Sequence, residues 1–135
     1  MVNILDVNID DLLEEFKKSG KDKLQFLFEL QRELCKKADP ELLKRDIYTK
    51  EGQDKVKQYI FYCAEELFEL SNKMKARPWV KTIYLPDVNE IYDEIADAFL
   101  MIILVCLSLG IDADKIFELC LRKYKVNVFR NETNY

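Results

Sequence analysis

Apolar residues recur along most of the chain at steps of three and four, the spacing of helices that bury one face. Only three glycines and three prolines interrupt this pattern, which favours long helices with short connections. The sequence therefore predicts an all-α fold. The predicted helices run from about Ile9 to Lys18, from near Asp22 to before Pro40, over Glu41–Arg45, over Glu51–Lys75, from an Asp87 cap to Gly110, and from an Asp112 cap toward Arg130.

Residues at several predicted helix ends are those that cap or terminate helices. Gly20 and Gly110 stand just after an apolar-periodic segment, where a left-handed residue closes the last turn. Asp39 precedes a proline, so we expect it to be the N-cap of the short helix that follows. Asp87 and Glu90 have the spacing of a capping box, which predicts that a helix starts there.

The two longest helices are joined by the 11-residue loop Ala76–Pro86, and we expect them to pack antiparallel. Past Ala98 the second of them is apolar all round, so other helices have to surround it. A chain this small has few helices to do so. We therefore predict an antiparallel bundle of about five helices that is completed by oligomerisation, as a homodimer or a homotetramer.

Composition excludes several classes of chemistry. The 135 residues, enough for one domain, include no histidine, which excludes Ser-His-Asp and Cys-His nucleophiles and HExxH zinc proteases. It also counts against the zinc and di-iron sites of helical bundles. Catalysis would then rest on carboxylates, Lys, Arg, Tyr or Cys, most simply with an oxygen-preferring metal ion. No CxxC spacing occurs, and we expect four buried thiols in a reducing cytoplasm: Cys35, Cys63, Cys106 and Cys120.

Charge and hydropathy limit the partners. The net charge is −4 and no long basic stripe occurs, so we expect no nucleic-acid partner. The most apolar run, Ile95–Leu109, is shorter than a membrane span and contains Asp97, so we interpret it as a core helix and expect no membrane contact. The segment Met1–Asp11 lacks the basic start and apolar stretch of a signal peptide. These features predict a cytoplasmic protein.

Two acidic motifs lie on the two longest helices. Glu66 and Glu69 are three residues apart on the first helix, as are Glu94 and Asp97 on the second, so each pair shares a helix face. If the helices are antiparallel, the four carboxylates can converge, and their mutual repulsion then requires a divalent cation. Ligation by oxygen alone indicates Mg²⁺ or Mn²⁺.

The alternative is that these carboxylates form ordinary solvated helix faces, as glutamates often do. Asp97 argues against this alternative, because it is a poor helix former inside the most apolar stretch of the chain. An unpaired charge in such a place costs several kcal/mol. We therefore favour the metal site.

A basic stripe lies near the end of the chain. Lys123, Asn127 and Arg130 follow at steps of four and three and share one helix face, whereas the helix dipole also accounts for Arg122 and Lys125. A Lys–Asn–Arg stripe is suited to binding a polyphosphate. Together with an acidic metal cluster, it predicts metal-assisted chemistry on a nucleotide.

These motifs resemble those of a known family. The segments Glu65–Glu69 and Glu94–Asp97 resemble the EExxE…ExxD signature of the all-α NTP pyrophosphatase superfamily, which includes MazG-like enzymes and dimeric dUTPases. The likeness runs from about Leu24 to Tyr135. It is closest to the dimeric dUTPase branch, through an early glutamine, a tryptophan-bearing loop and a K-x-x-x-N-x-x-R…Y ending, here Gln31, Trp79, Lys123, Asn127, Arg130 and Tyr135.

The resemblance implies a Mg²⁺-dependent homodimeric enzyme that hydrolyses dUTP to dUMP and pyrophosphate. In the family the metal ions are held by four carboxylates, which here are Glu66, Glu69, Glu94 and Asp97. Glu66 or Glu69 would orient or deprotonate the attacking water. The triphosphate would contact Lys123, Asn127, Arg130 and Tyr135. Gln31 and Trp79 are the candidates for the base pocket, although Gln31 can equally be an exposed helix residue and Trp79 a plug that holds its loop on the core.

Two departures from the dUTPase pattern leave the base open. Cys35 lies where many members have Asn or Asp shortly after the early glutamine, and Leu100 lies where they often have His. dCTP or a purine deoxynucleoside triphosphate, as for MazG-like enzymes, is therefore an alternative substrate. A non-catalytic helical interaction module is an alternative of another class, and a di-iron bundle is disfavoured by the missing histidines.

Overall fold

The computed structural model describes residues 3–82 and 85–133, and within these ranges the fold is all-α, as predicted. Each long helix begins and ends within three residues of its predicted bounds. Tyr135, which the resemblance assigns to the triphosphate, lies outside the described residues. The elements are a 3-10 turn Ile4–Asp6, α1 (Asp10–Ser19), α2 (Lys23–Ala38), a 3-10 turn Leu42–Lys44, α3 (Lys50–Lys73), α4 (Val88–Ser108) and α5 (Ala113–Thr133).

The helix ends confirm some capping predictions and correct others. Gly20 and Gly110 adopt φ of 69° and 73°, left-handed values that glycine adopts without strain. Asp87 does cap α4, but through the amide of Asn89, 2.9 Å away. Glu90 does not complete a capping box; its carboxylate lies 3.8 Å from the Lys73 ammonium instead.

The prediction for Asp39 is wrong. Asp39 is the C-cap of α2, and the expected short helix over Glu41–Arg45 is a 3-10 turn with no side-chain cap. The Asp39 carboxylate is used elsewhere: it accepts a hydrogen bond from the Tyr59 hydroxyl at 2.9 Å and lies 3.5 Å from the Arg45 guanidinium. Asp39 therefore links the end of α2 to α3 through this hydrogen bond and does not start a helix.

Helices α3 and α4 pack antiparallel, because contacts move toward the start of α4 as α3 advances. Cys63, in the middle of α3, lies against the carbonyl of Ala98. Lys73, at the end of α3, pairs with Glu90 and Glu94, which lie nearer the start of α4. Helix α2 covers another side of α4, where the buried Gln31 donates to the Leu100 carbonyl at 2.9 Å. The main core cluster consists of Phe28, Ile103, Cys106, Leu107 and Ala113.

The apolar faces are only partly covered within the described chain. Three of the cysteines are buried as predicted, but Cys120 is exposed. Exposed apolar side chains also occur on α2 and α3, at Leu34, Ile60 and Leu67. Helix α4 is not fully surrounded past Ala98, since Phe99 and Ile102 are about half exposed. No single described helix is long and apolar enough to cross a membrane; only α4 and α5 together, bent by 103°, pass the same test of length and composition.

Gly52 gives a stability prediction, because a Cβ at this position would overlap the carbonyl oxygen of Asp46. Replacing a helical glycine by alanine ordinarily stabilises a protein by up to about 1 kcal/mol. We expect Gly52→Ala to destabilise instead, by about 1–3 kcal/mol, since the turn before α3 has to move. Urea unfolding measures the difference, with Lys57→Ala, on an exposed part of α3, as the control. A gain in stability for Gly52→Ala would contradict the close approach.

Candidate metal centre

Three carboxylates converge between α3 and α4. One oxygen from each of Glu66, Glu94 and Asp97 lies within 4.8 Å of the others. The antiparallel packing produces this convergence, because the i, i+3 spacing of each acidic pair keeps it on the helix face that meets the neighbouring helix. The structure thus brings together three of the four carboxylates that the sequence nominated as metal ligands.

Glu69, the fourth nominated ligand, lies beside this cluster. Burial raises the pKa of the Glu94 carboxyl, and charge repulsion from the nearby Glu69 carboxylate raises it further. Glu69 also contributes repulsion that raises the pKa values of Glu66 and Asp97. We refer to Glu66, Glu69, Glu94 and Asp97 as the acidic cluster.

Burial and repulsion from neighbouring carboxylates raise the pKa values of Glu66, Glu94 and Asp97. Burial is the largest cause of the raised pKa of Glu66, followed by repulsion from Asp97, Glu69 and Glu94. Burial is also the main cause for Glu94 and Asp97. Asp97 as a whole residue is nevertheless exposed, so its place in an apolar stretch of sequence does not put it in the core. A divalent cation would remove both costs, because it supplies the positive charge that water no longer provides.

One oxygen of Glu94 lacks a partner. The Glu94 side chain is 12% exposed, and its Oε2 is buried with no hydrogen-bond partner among the described residues. The other oxygen, Oε1, lies 3.7 Å from the Lys73 ammonium. A single lysine therefore offsets part of the charge, and an acceptor atom is left available for a ligand.

Lys73 was not anticipated from the sequence, although the sequence contained a signal for it. It follows Glu66 by seven residues and Glu69 by four, so it lies on the same face of α3. Lys73 and Glu94 also line a cavity of about 420 Å³ beside the cluster, whose wall includes Asn3 and Ile4. The amino-terminal segment, which lies outside the family resemblance, is thus part of the site. No periodicity in the sequence indicated this contact.

The basic stripe is not part of this cavity. Lys123, Asn127 and Arg130 are exposed on α5, and their side chains make no hydrogen bond or ion pair with a described residue. Within one chain the structure keeps the stripe and the acidic cluster apart.

The two candidates for the base pocket lie in different surroundings. Gln31 is 6% exposed and donates its amide to the backbone of α4, so it is not the exposed helix residue of the alternative interpretation. Trp79 is 77% exposed, so it does not plug its loop onto the core. Neither residue lines the cavity beside the acidic cluster.

The residues present fit Mg²⁺ or Mn²⁺. Ligand oxygens of an octahedral Mg²⁺ lie about 3.0 Å apart when adjacent and about 4.2 Å apart when opposite. The three cluster oxygens lie within 4.8 Å of one another, so small side-chain movements would bring them around one ion. All donors are carboxylate oxygens, which suit hard cations. Glu94 also has an oxygen that is buried with no partner within residues 3–82 and 85–133. Glu66, Glu94 and Asp97 would hold the ion, with Glu69 beside them.

The raised pKa values predict how pH affects the metal. In the metal-free protein, Glu66, Glu94 and Asp97 bind protons more tightly when the chain is folded than when it is unfolded. Their protonation therefore stabilises the fold at low pH, and this stabilisation is lost as pH rises through their folded-state pKa values. Cation binding requires the same protons to leave, so its stabilisation grows with pH. We expect Mn²⁺ to raise the melting temperature more at about pH 8 than at about pH 5. Differential scanning fluorimetry measures this shift, and an equal shift at both values would contradict the site. In the control variant Asp97→Asn the shift should be reduced.

Comparison of the chain with protein-family models, with curated protein sequences and with solved structures found no significant match. Function therefore has to be argued from the site. What the fold and the cluster define is a helical protein with a carboxylate centre suited to a divalent cation.

Proposed function

We propose that this protein is a Mg²⁺-dependent deoxynucleoside triphosphate pyrophosphohydrolase that converts dUTP to dUMP and pyrophosphate. The observation that carries the proposal is the convergence of Glu66, Glu94 and Asp97 from two antiparallel helices. The motif resemblance supplies the reaction. The cavity next to the cluster supplies room for part of a nucleotide.

In this proposal, hydrolysis forms a bond between a water oxygen and the α-phosphorus and breaks the bond from that phosphorus to the oxygen bridging to the β-phosphorus. Bound Mg²⁺ would neutralise phosphate oxygens and make the water more acidic. Glu66, Glu94 and Asp97 would hold the ion, and Glu69 or Glu66 would orient the water and accept its proton. The departing pyrophosphate carries the electron pair of the broken bond.

Basic side chains have to offset the charge of that pyrophosphate. In this proposal Lys123, Asn127 and Arg130 bind the β- and γ-phosphates, with Tyr135 as a further contact implied by the resemblance. Arg130→Ala is expected to raise KM for the triphosphate by about 10-fold or more, the cost of one charge-assisted hydrogen bond. Steady-state kinetics measures it, and an unchanged KM would contradict this assignment.

The geometry favours a metal enzyme over an interaction module. A solvated acidic face leaves its carboxylates spread in water. Here Glu66, Glu94 and Asp97 approach one another, and Oε2 of Glu94 is buried with no hydrogen-bond partner in the part of the chain that the structure describes. A module with an ordinary acidic face would gain no stability from Mg²⁺ together with a non-hydrolysable nucleotide analogue. The enzyme would gain several degrees in melting temperature from that combination.

Base preference is the least constrained part of the proposal. Leu100 packs against the core, and the Cys35 thiol lies 3.5 Å from a backbone carbonyl, so neither side chain replaces the polar group that dUTPases often have. A substrate panel tests the base directly: pyrophosphate release from dUTP, dCTP, dTTP, dATP and dGTP, each with Mg²⁺ and with EDTA. Release confined to dUTP, or to dUTP and dCTP, supports the proposal. Release from purines would favour a MazG-like activity, and no release at all would overturn the proposed pyrophosphohydrolase activity.

A further inference from the structure

Helix α5 leaves the bundle soon after it begins. Ala113 is buried in the core, and Asp114 accepts a hydrogen bond from the Gln25 amide at 3.2 Å. Beyond that point, the side-chain ion pairs and hydrogen bonds of α5 among the described residues stay within the helix. We call residues 117–133 the arm. Its large apolar side chains are between 54% and 69% exposed at Phe117, Leu121, Tyr124 and Phe129.

The direction of the arm separates its basic stripe from the acidic cluster of the same chain. Helix α5 is bent by 103° from α4, so it does not run back along α4 toward Asp97. At a rise of 1.5 Å per residue, that angle places Lys123 and Arg130 roughly 20–30 Å from Asp97. Neither side chain spans that distance. A site that needs both the cluster and the stripe is therefore incomplete in one chain.

Charge and apolar surface indicate what covers the arm. Residues 119–131 carry four basic side chains and no acidic one, whereas the acidic cluster is incompletely neutralised by Lys73. Phe61, Glu65 and Phe68 form an exposed stripe along α3, and Glu69 lies next to it. A helix that packs its apolar face against this stripe lies next to the acidic cluster. The arm of a second copy has both the apolar face and the positive charge for this place.

We infer that two copies of this chain exchange arms, so that Lys123, Asn127 and Arg130 of each copy complete the acidic site of the other. The inference rests on the proposed function for the ligand, a triphosphate held between the two chains. A two-fold axis makes the exchange reciprocal, so a dimer has two complete sites. It also buries apolar residues of the arm that the described elements of the same chain leave exposed.

Mixing two inactive variants tests the exchange. Glu66→Gln disables the cluster, and Lys123→Ala with Arg130→Ala disables the stripe. If sites are shared, a heterodimer has one intact site and one site that carries both sets of changes. About half of the dimers in an equal mixture are heterodimers once subunits have exchanged, so the mixture recovers about a quarter of wild-type activity. If each site lies within one chain, the mixture recovers nothing. Native mass spectrometry verifies that heterodimers have formed, and no recovery in their presence overturns the inference.

A second measurement is independent of activity and decides the matter even if the wild type hydrolyses no triphosphate. An equal mixture of ¹⁴N- and ¹⁵N-labelled protein, allowed to exchange, is treated with a carbodiimide that joins amines to nearby carboxylates. We expect peptides that join Lys123 to the acidic cluster or to Glu65 and that contain one light and one heavy chain. Lys123→Arg is the matched control, because it keeps the charge and loses the amine. A monomer in sedimentation, or a dimer in which such mixed peptides do not form, overturns the exchange and leaves the proposed function to the substrate panel.

Discussion

We expect Asp97→Asn to lower pyrophosphate release by about 100-fold to 10,000-fold while the metal-free protein melts at the same or a higher temperature. The two effects have one cause. Asparagine keeps the size of the side chain but removes a charge that burial and repulsion from Asp93 and Glu69 already disfavour. Losing this charge relieves the metal-free fold and removes a ligand. Initial rates and thermal melts of the same preparations provide the measurement.

The matched control lies in the neighbouring motif. Glu65 and Glu66 are adjacent on α3, but only Glu66 belongs to the three converging carboxylates. Glu66→Gln is expected to lose activity as Asp97→Asn does, whereas Glu65→Gln keeps activity within a few fold. Near wild-type rates in a folded Asp97→Asn protein would exclude the metal centre. Equal losses in both glutamate variants would show that overall acidity, not ligation, matters.

The second large effect concerns stability. Asp39→Ala is expected to lower the free energy of unfolding by about 2–4 kcal/mol, because it leaves two partly buried partners without an acceptor. Arg45 is one of them: its side chain is 11% exposed, and its Nε already lacks a hydrogen-bond partner among the described residues. Tyr59 is the other, and burial together with Asp39 raises its pKa to about 12. Urea unfolding monitored by circular dichroism measures the loss.

Two further variants separate the partners. Tyr59→Phe removes one hydrogen bond and is expected to cost about 1 kcal/mol. The combination of Asp39→Ala with Tyr59→Phe should then cost less than the sum of the two single changes, because the hydroxyl is no longer left unpaired. Additive losses would mean that Asp39 and Tyr59 do not interact in solution.

The sequence predicts the local parts of this molecule well and the non-local parts poorly. The convergence of Glu66, Glu94 and Asp97 follows from i, i+3 spacing and a short connection between two long helices, which are both local features. Asp39 shows the limit, because a proline after an aspartate is typical of a helix start, yet its carboxylate is used by Tyr59, twenty residues away. No periodicity identifies a partner at that separation.

The direction of α5 is the clearest feature that the sequence could not provide. Gly110 predicts where α4 ends, but a short glycine-containing connection allows many angles between the helices that it joins. The exposure of Cys120 follows from that angle, since its place in an apolar pattern had suggested burial. Periodicity identifies a face that needs cover without identifying what covers it.

The position of Asn3 and Ile4 in the cavity wall has a practical consequence for recombinant work. A polyhistidine tag joined at the amino terminus would begin within a few residues of Asn3 and Ile4, which line the cavity beside the acidic cluster. The chain itself contains no histidine, so the tag would introduce the first imidazole ligands in the molecule, at the place where a metal titration is to be made. Imidazoles favour zinc, nickel and copper over magnesium. Metal analyses of tagged protein would therefore include metal bound by the tag. Removing the tag before any titration leaves the carboxylates as the ligands that the titration measures.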